Sequence, residues 1–156
     1  MNLRWRDAAF AELTTAELHA IYALRARVFV VEQACAYQDV DDLDLVARHV
    51  WAEHRAEPAE RSAGGGRIAA YLRIVPAGAK FAEASIGRVV TAPEARGAGL
   101  ARELMQRGLA LAGGAPLRIG AQAYLERFYT GLGFVRVSDV YDEDGIPHIE
   151  MTRAGG

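Results

Sequence analysis

A single α/β domain, with a central mixed sheet and helices on both of its faces, is the fold class that the sequence predicts. The first observation is size: 156 residues, 51% hydrophobic and 24% charged, suit one globular core over residues 1–156. The second is period. Short alternating or β-branched runs follow one another in the first half, whereas helical spacing alternates with short apolar runs in the second. The third is punctuation, since glycine and proline fall between these runs and no segment repeats another. The order that results is β-α-β-β-β-α-β-α-β-β.

Residues 3–7 alternate apolar and polar side chains, which reads as a strand. Thr14 and Glu17 have capping-box spacing, and behind them Leu18, Ile21, Tyr22, Arg25, Val28 and Phe29 recur at helical intervals, carrying a helix to about Glu32. The next stretch, ACAYQDVDDLD over 34–44, has no period and reads as a loop. Residues 49–53 form a strand, and EPAERSAGGG over 57–66 a hairpin connection. The runs 67–75 and 84–91 then complete an antiparallel meander of three strands. Leu100, Leu104, Arg107, Leu109 and Leu111 mark a helix that Gly113-Gly114 ends. A buried strand at 117–121 follows, then a short helix carrying Tyr124, Leu125, Phe128, Tyr129 and Leu132, and a strand at 134–137. The acidic turn YDEDGI precedes a last strand at 147–152.

Bulk properties exclude several function classes. A formal net charge of −2 provides no basic field for nucleic acid or an anionic membrane. No apolar run approaches the roughly 18 residues of a membrane span, and the first residues open no signal-peptide pattern, so a cytoplasmic, soluble protein is expected. Cys35 is the single cysteine, which rules out an intramolecular disulfide and a zinc site of several cysteines. DVDDLD at 39–44 begins like a calcium loop, but Leu43, Asp44 and Val50 stand where a ligand, a glycine and a glutamate are needed. No metal is expected, and the sequence leaves oligomeric state open.

One stretch asks for a ligand. After a β-branched strand the chain passes Pro93 and enters a helix through Arg96-Gly97-Ala98-Gly99. A helix N-terminus presents unpaired N–H groups at a positive dipole end, and glycine lets a phosphate come close to the backbone. A tight strand-to-helix turn would also use glycine. A dinucleotide fingerprint would need glycine where Arg102 stands, and the Gly-Lys-Ser/Thr of a P-loop is absent.

The element order, Arg96-x-x-Gly99-x-Ala101 after its strand, and ERFYTGLGF at 126–134 resemble the GNAT superfamily of acyl-CoA-dependent N-acyltransferases over nearly the whole chain. LRARVFVVEQACAYQDVDDLD at 24–44, His49 and EDGIPHIEM at 143–151 resemble its ElaA-like branch, from which Ala36 departs where that branch has proline. The resemblance implies a GNAT fold and acetyl-CoA as co-substrate. It implies that the pyrophosphate lies on Arg96, Gly97, Ala98, Gly99, Leu100, Ala101 and Arg102, and that the strand of Val89, Val90 and Thr91 splays from its neighbour and pairs with the pantetheine arm through its main chain. It also implies Tyr129 as proton donor to the leaving thiolate and, loosely, Gln122 as a coenzyme contact. Plainer readings of those two are a core tyrosine and a polar residue ending a strand.

Acyl transfer to an amine needs a neutral amine, a stabilised oxyanion and a protonated thiolate. Glu32 is the candidate base. Arg25, Tyr37, Asp39, Asp41 and His148 are candidate acceptor contacts, with the acidic loop attracting a cationic amine of a small molecule or peptide. Asp144 and His148 stand in reserve as bases. Plainer readings are a structural ion pair that anchors the acidic loop and, for the carboxylates of that loop, a solvated surface. Two rival functions remain: a non-catalytic acyl-CoA-binding or protein-interaction module, and an acyltransferase of the autoinducer-synthase type.

Overall fold

The computed structural model describes residues 2–55 and 68–156, so the connection expected at 57–66 and Arg67 of the following strand lie outside the described residues. Strands β1 (Leu3–Ala9), β2 (Arg48–His54), β3 (Ile68–Val75) and β4 (Ser85–Thr91) form an antiparallel sheet in sequence order. Trp5 stands opposite Ala52, and Trp51 opposite Tyr71. A second antiparallel sheet joins β5 (Leu117–Gln122), β8 (Ile146–Arg153) and β6 (Val135–Arg136) in that order, with β7 (Tyr141–Glu143) also on β8. The halves meet through a parallel bridge between Ala84 and Leu117, where the Arg118 N–H donates to the Ala84 carbonyl at 3.0 Å. Beyond it β4 and β5 diverge with no ladder between them among the described residues. The expected mixed sheet is therefore two antiparallel sheets joined at one corner.

Helices cover both faces of β3, which is why its side chains are almost all buried and why the strand reads as a continuous apolar run. Helix α1 (Thr15–Arg25) lies on the face of Tyr71, with the Arg25 guanidinium 5.7 Å from that ring. Helix α2 (Leu100–Leu111) lies on the face of Leu72, close enough that a Cβ on Gly108 would stand 2.9 Å from Leu72 Cδ2. The alternation Tyr71-Leu72 thus sends successive side chains to opposite helices. Helix α3 (Glu126–Thr130) completes the second half.

The capping box forms: the Glu17 N–H donates to Thr14 Oγ1 at 3.0 Å and the Thr14 N–H to Glu17 Oε1 at 2.9 Å. The helix behind it changes character at Arg25. Residues Ala26–Glu32 adopt π-helical pairing, and the ladder ends with the Gln33 N–H on Val28 O and the Cys35 N–H on Val30 O. The run holds Val28, Val30 and Val31, whose β-branches crowd a normal α turn.

The acidic loop has structure of its own. A 3₁₀ turn at Asp42–Leu45 is capped by Asp41, which accepts the Leu43 N–H, and Asp39 and Asp44 are buried. The stretch YDEDGI is a hairpin, with Asp144 and Gly145 both at positive φ (52° and 80°) and Glu143 opposite Ile146. Asp-Gly at the centre favours that tight two-residue turn.

Candidate functional site

A cavity of about 770 Å³ occupies the gap between β4 and β5 and extends under the acidic loop. A bulge in β4 shapes one wall. Val90 pairs with Tyr71 and Gly87 with Arg73, so Arg88 and Val89 together oppose Leu72, and Arg88 takes a φ of 50°. The opposite wall comes from Ile119, Gly120, Ala121 and Gln122 of β5 and from Tyr129 of α3.

At one end of this gap lies the start of α2. Gly99 is its N-cap with φ 72°, Gly97 has φ 87°, and no side chain caps the helix. The first N–H groups of α2 therefore face outward at the positive end of a 12-residue helix. A Cβ at Gly97 or Gly99 would meet nothing within 4 Å, so the backbone there is open to a close-approaching group. Val89, Val90, Thr91, Arg96 and Ala101 line the cavity beside it. Gly97, Ala98, Gly99 and Arg102 are exposed at its rim, and Leu100 points into the core. Unpaired amides, two left-handed glycines and two arginines fit a diphosphate well.

Tyr129 is buried, edge-on to Phe128 and Phe134 with ring centroids 5.1 and 5.9 Å away. Its hydroxyl has no hydrogen-bond partner among the described residues, and its ring forms part of the cavity wall. Burial, reinforced by Tyr124, pushes the phenol well above its ordinary pKa, so it keeps its proton at neutral pH. Gln122, at the end of β5, donates Nε2–H to Gln33 Oε1 at 3.2 Å and so ties the second half to the π-helical run.

Glu32 lines the cavity, but both its oxygens receive Arg96, at 2.7 and 3.2 Å, in a pair half open to solvent. His148 lies on β8 at the other wall. Its Nδ1 lies 2.7 Å from the Ile146 carbonyl, and its Nε2 also faces an acceptor. Glu143 Oε2 lies 3.3 Å from that Nε2, and the Tyr141 ring stacks on the imidazole.

Arg25, Asp39 and Asp41, read from the sequence as acceptor contacts, belong to an ion cluster that fixes the acidic loop. Arg25 is fully buried and lies outside the cavity wall; it donates Nε–H to Asp39 at 3.0 Å and two N–H groups to Asp44 at 2.7 and 3.1 Å. Arg73 pairs with Asp41 at 2.6 Å and with Asp44 at 2.9 Å. Arg88 lies 2.9 Å from Asp39 and 3.4 Å from Asp41. Tyr37 donates its hydroxyl to Asp39 at 2.8 Å beneath the Arg88 guanidinium. Arg25 thus anchors the acidic loop as a structural ion pair, whereas Glu32 pairs with Arg96.

His49 supports the cluster from below. Its Nδ1 accepts the Tyr71 hydroxyl at 2.7 Å and its Nε2–H donates to Asp44 O at 2.9 Å, the one tautomer that suits both partners. Burial lowers the His49 pKa, which keeps the ring neutral. Burial opposes ionisation of Asp44 as well, but hydrogen bonds and charge from Arg25 and Arg73 outweigh it and hold the carboxyl below its usual range. Cys35 lines the cavity and is buried, with Sγ 3.3 Å from the Asp144 carbonyl.

Sequence reading did not single out Arg73, Arg88, Lys80 or Glu143. Arg73 was open to discovery: a charged residue inside IAAYLRIV must find a counter-ion, and only the acidic loop offers several. Among the described residues no group of three or more histidine, cysteine or acidic side chains is arranged to hold a metal. No helix among them is long and apolar enough to cross a membrane.

Residues 46–154 match the family described as "Acetyltransferase (GNAT) domain". The chain is 38% identical to Protein ElaA of Escherichia coli (strain K12), over 97% of this chain and 96% of the relative. Among solved structures, an acyl-CoA N-acyltransferase from Pseudomonas aeruginosa has a TM-score of 0.86 at 43% identity, covering 98% of this chain and 100% of that one. The crystal structure of Escherichia coli ElaA has a TM-score of 0.83 at 36% identity, covering 97% and 99%. Matches that run through both half-sheets and the uncapped helix between them show that this chain belongs to the GNAT superfamily, in its ElaA-like branch, and is an acyltransferase of that type.

Proposed function

We propose that the protein transfers the acetyl group of acetyl-CoA to a primary amine by direct attack. The observation that carries this reading is the gap between β4 and β5, with uncapped amides at one end and an unpartnered phenol in its wall. Backbone N–H groups over 97–102, with Arg96 and Arg102, would hold the diphosphate, and the main chain of Val89, Val90 and Thr91 would pair with the pantetheine arm. Acetyl-CoA supplies an acyl carbon activated as a thioester.

An alkyl amine with a pKa of about 10.4 is neutral in only about one molecule in a few thousand at pH 7, so a base is needed. The Glu143 carboxylate, half exposed in the cavity wall, has free lone pairs for this, with His148 Nε2 at 3.3 Å to hold it in place; Glu32 is engaged by Arg96. As the amine nitrogen bonds to the acyl carbon and the carbon–sulfur bond breaks, the amine proton passes to Glu143. Tyr129 gives its proton to the departing thiolate and is reprotonated from solvent. A thiol pKa of about 8.5 makes that last contribution modest.

The test is thiol release from acetyl-CoA against a panel of amines. Release that depends on the amine and falls in Tyr129→Phe supports the reading. Tight coenzyme binding with no release from any amine would favour a non-catalytic acyl-CoA-binding module.

A further inference from the structure

The acidic loop leaves little free negative charge in the cavity, because Asp39, Asp41 and Asp44 meet Arg25, Arg73 and Arg88. What lacks a partner beside the cluster is cationic. Lys80, on the loop between β3 and β4, lines the cavity mouth, and its Nζ is 5.2 Å from the Phe81 ring with no hydrogen bond or ion pair among the described residues. Arg88 Nε lies near Asp39 but off the line of a hydrogen bond, and its Nη1 donates to nothing among the described residues. Arg73, with only 3% of its side chain exposed, is part of the same wall and keeps an unbonded Nε.

These cations disfavour one another. Loss of part of its water shell lowers the Lys80 pKa; Glu143 opposes that shift, and Arg88 and Arg73 add to it. An anion seated among them would relieve the repulsion and satisfy the idle N–H groups. Across the cavity mouth, the Glu143 carboxylate beside His148 supplies the opposite polarity. The wall therefore carries positive charge on the β3–β4 side and negative charge on the β7–β8 hairpin.

We propose that the acceptor is a zwitterion of the amino-acid or short-peptide class, whose acid group docks between Lys80 and Arg88 while its amine faces His148 and Glu143. The inference rests on the acyl-transfer reading above and names the substrate class of that site.

The experiment compares free amino acids and dipeptides with their C-terminal amides, and with the amines lacking the acid group. Binding to the coenzyme-loaded protein is read by calorimetry, and thiol release by initial rates. Acid-bearing members are expected to bind and react with constants at least about tenfold better than their amides. Lys80→Met should erase that preference and leave the KM for acetyl-CoA unchanged. Amides that match or surpass the acids, or failure of every acid-bearing member to bind, would overturn the proposal. An acid preference in binding with no thiol release from any amine would uphold it and sink the acyl-transfer reading; thiol release with no acid preference would do the reverse.

Discussion

Tyr129, His49 and Arg25 show how differently buried polar residues act here. Tyr129 forms part of the cavity wall, and on the acyl-transfer reading proposed above Tyr129→Phe should lower kcat about ten- to a hundredfold while the KM for acetyl-CoA stays near its original value. Stopped-flow thiol release under chemistry-limited conditions checks it, and an unchanged kcat returns Tyr129 to the core. Arg25 spends its burial on holding a loop. Arg25→Met strands Asp39 and Asp44 in the interior and should cost about 3–5 kcal/mol, read by urea denaturation. Neutralising Asp39 and Asp41 together would likewise act first on stability, since Arg73 and Arg88 lose their counter-ions. His49 sets a pH dependence. Its folded-state pKa is depressed, so an unfolded chain takes up the proton first as pH falls below about 6.5, and stability present above that pH declines. Asp41 and Asp44 are depressed too, and their contribution is lost below about pH 4. Denaturation curves from pH 7 to 5 should flatten in His49→Gln if this assignment holds.

At the scale of elements, the uncapped start of α2 carries the clearest prediction. Gly99→Val places a β-branched side chain at φ 72° in the approach path of a phosphate, and acetyl-CoA affinity should fall about ten- to a hundredfold, as expected for loss of a charge-assisted hydrogen bond. Calorimetry on a variant of native circular dichroism checks it. This turn was legible in the sequence because helix start signals are local: a proline, two glycines and a periodic apolar face lie within one window. The β-branched meander was legible for the same reason. What escaped was set by tertiary contact or by subtler backbone chemistry. The π-helical shift after Arg25 leaves apolar spacing nearly unchanged and so hides in a helix pattern. The short strand Tyr141–Glu143 lies in a stretch whose acidic residues mask its Asp-Gly hairpin. The loop at 34–44 reads as solvated because two of its counter-ions, Arg73 and Arg88, come from strands roughly 30 to 50 positions away.

The whole molecule is two sheets sharing one bridged corner, and its stability should respond to a ligand that spans the gap. Coenzyme at about a hundred times its Kd should add about 2.7 kcal/mol. For a chain of this length that raises Tm by roughly 5–10 °C, measurable by differential scanning calorimetry. A shift absent at saturation would mean that the gap does not receive the coenzyme. The overall architecture was legible from element order, whereas the splitting of the sheet came only from the family resemblance and not from the residue pattern. Nothing in the pattern of GRVVT or LRIGAQ marks where these adjacent strands part company; β4 carries a bulge there, with Arg88 at φ 50° and its side chain beside Asp39 and Asp41.

The parting of β4 and β5 also leaves a seam between the two sheets unsealed. Amides on the facing edges of these strands sit mid-molecule with no ladder partner across the gap, so deuterium should enter there within the time that it reaches surface loops. The neighbouring amides of β3, bonded on both sides, should hold their protons far longer. A solvent isotope would thus label the interior before much of the periphery, and the coenzyme would close that route by occupying it.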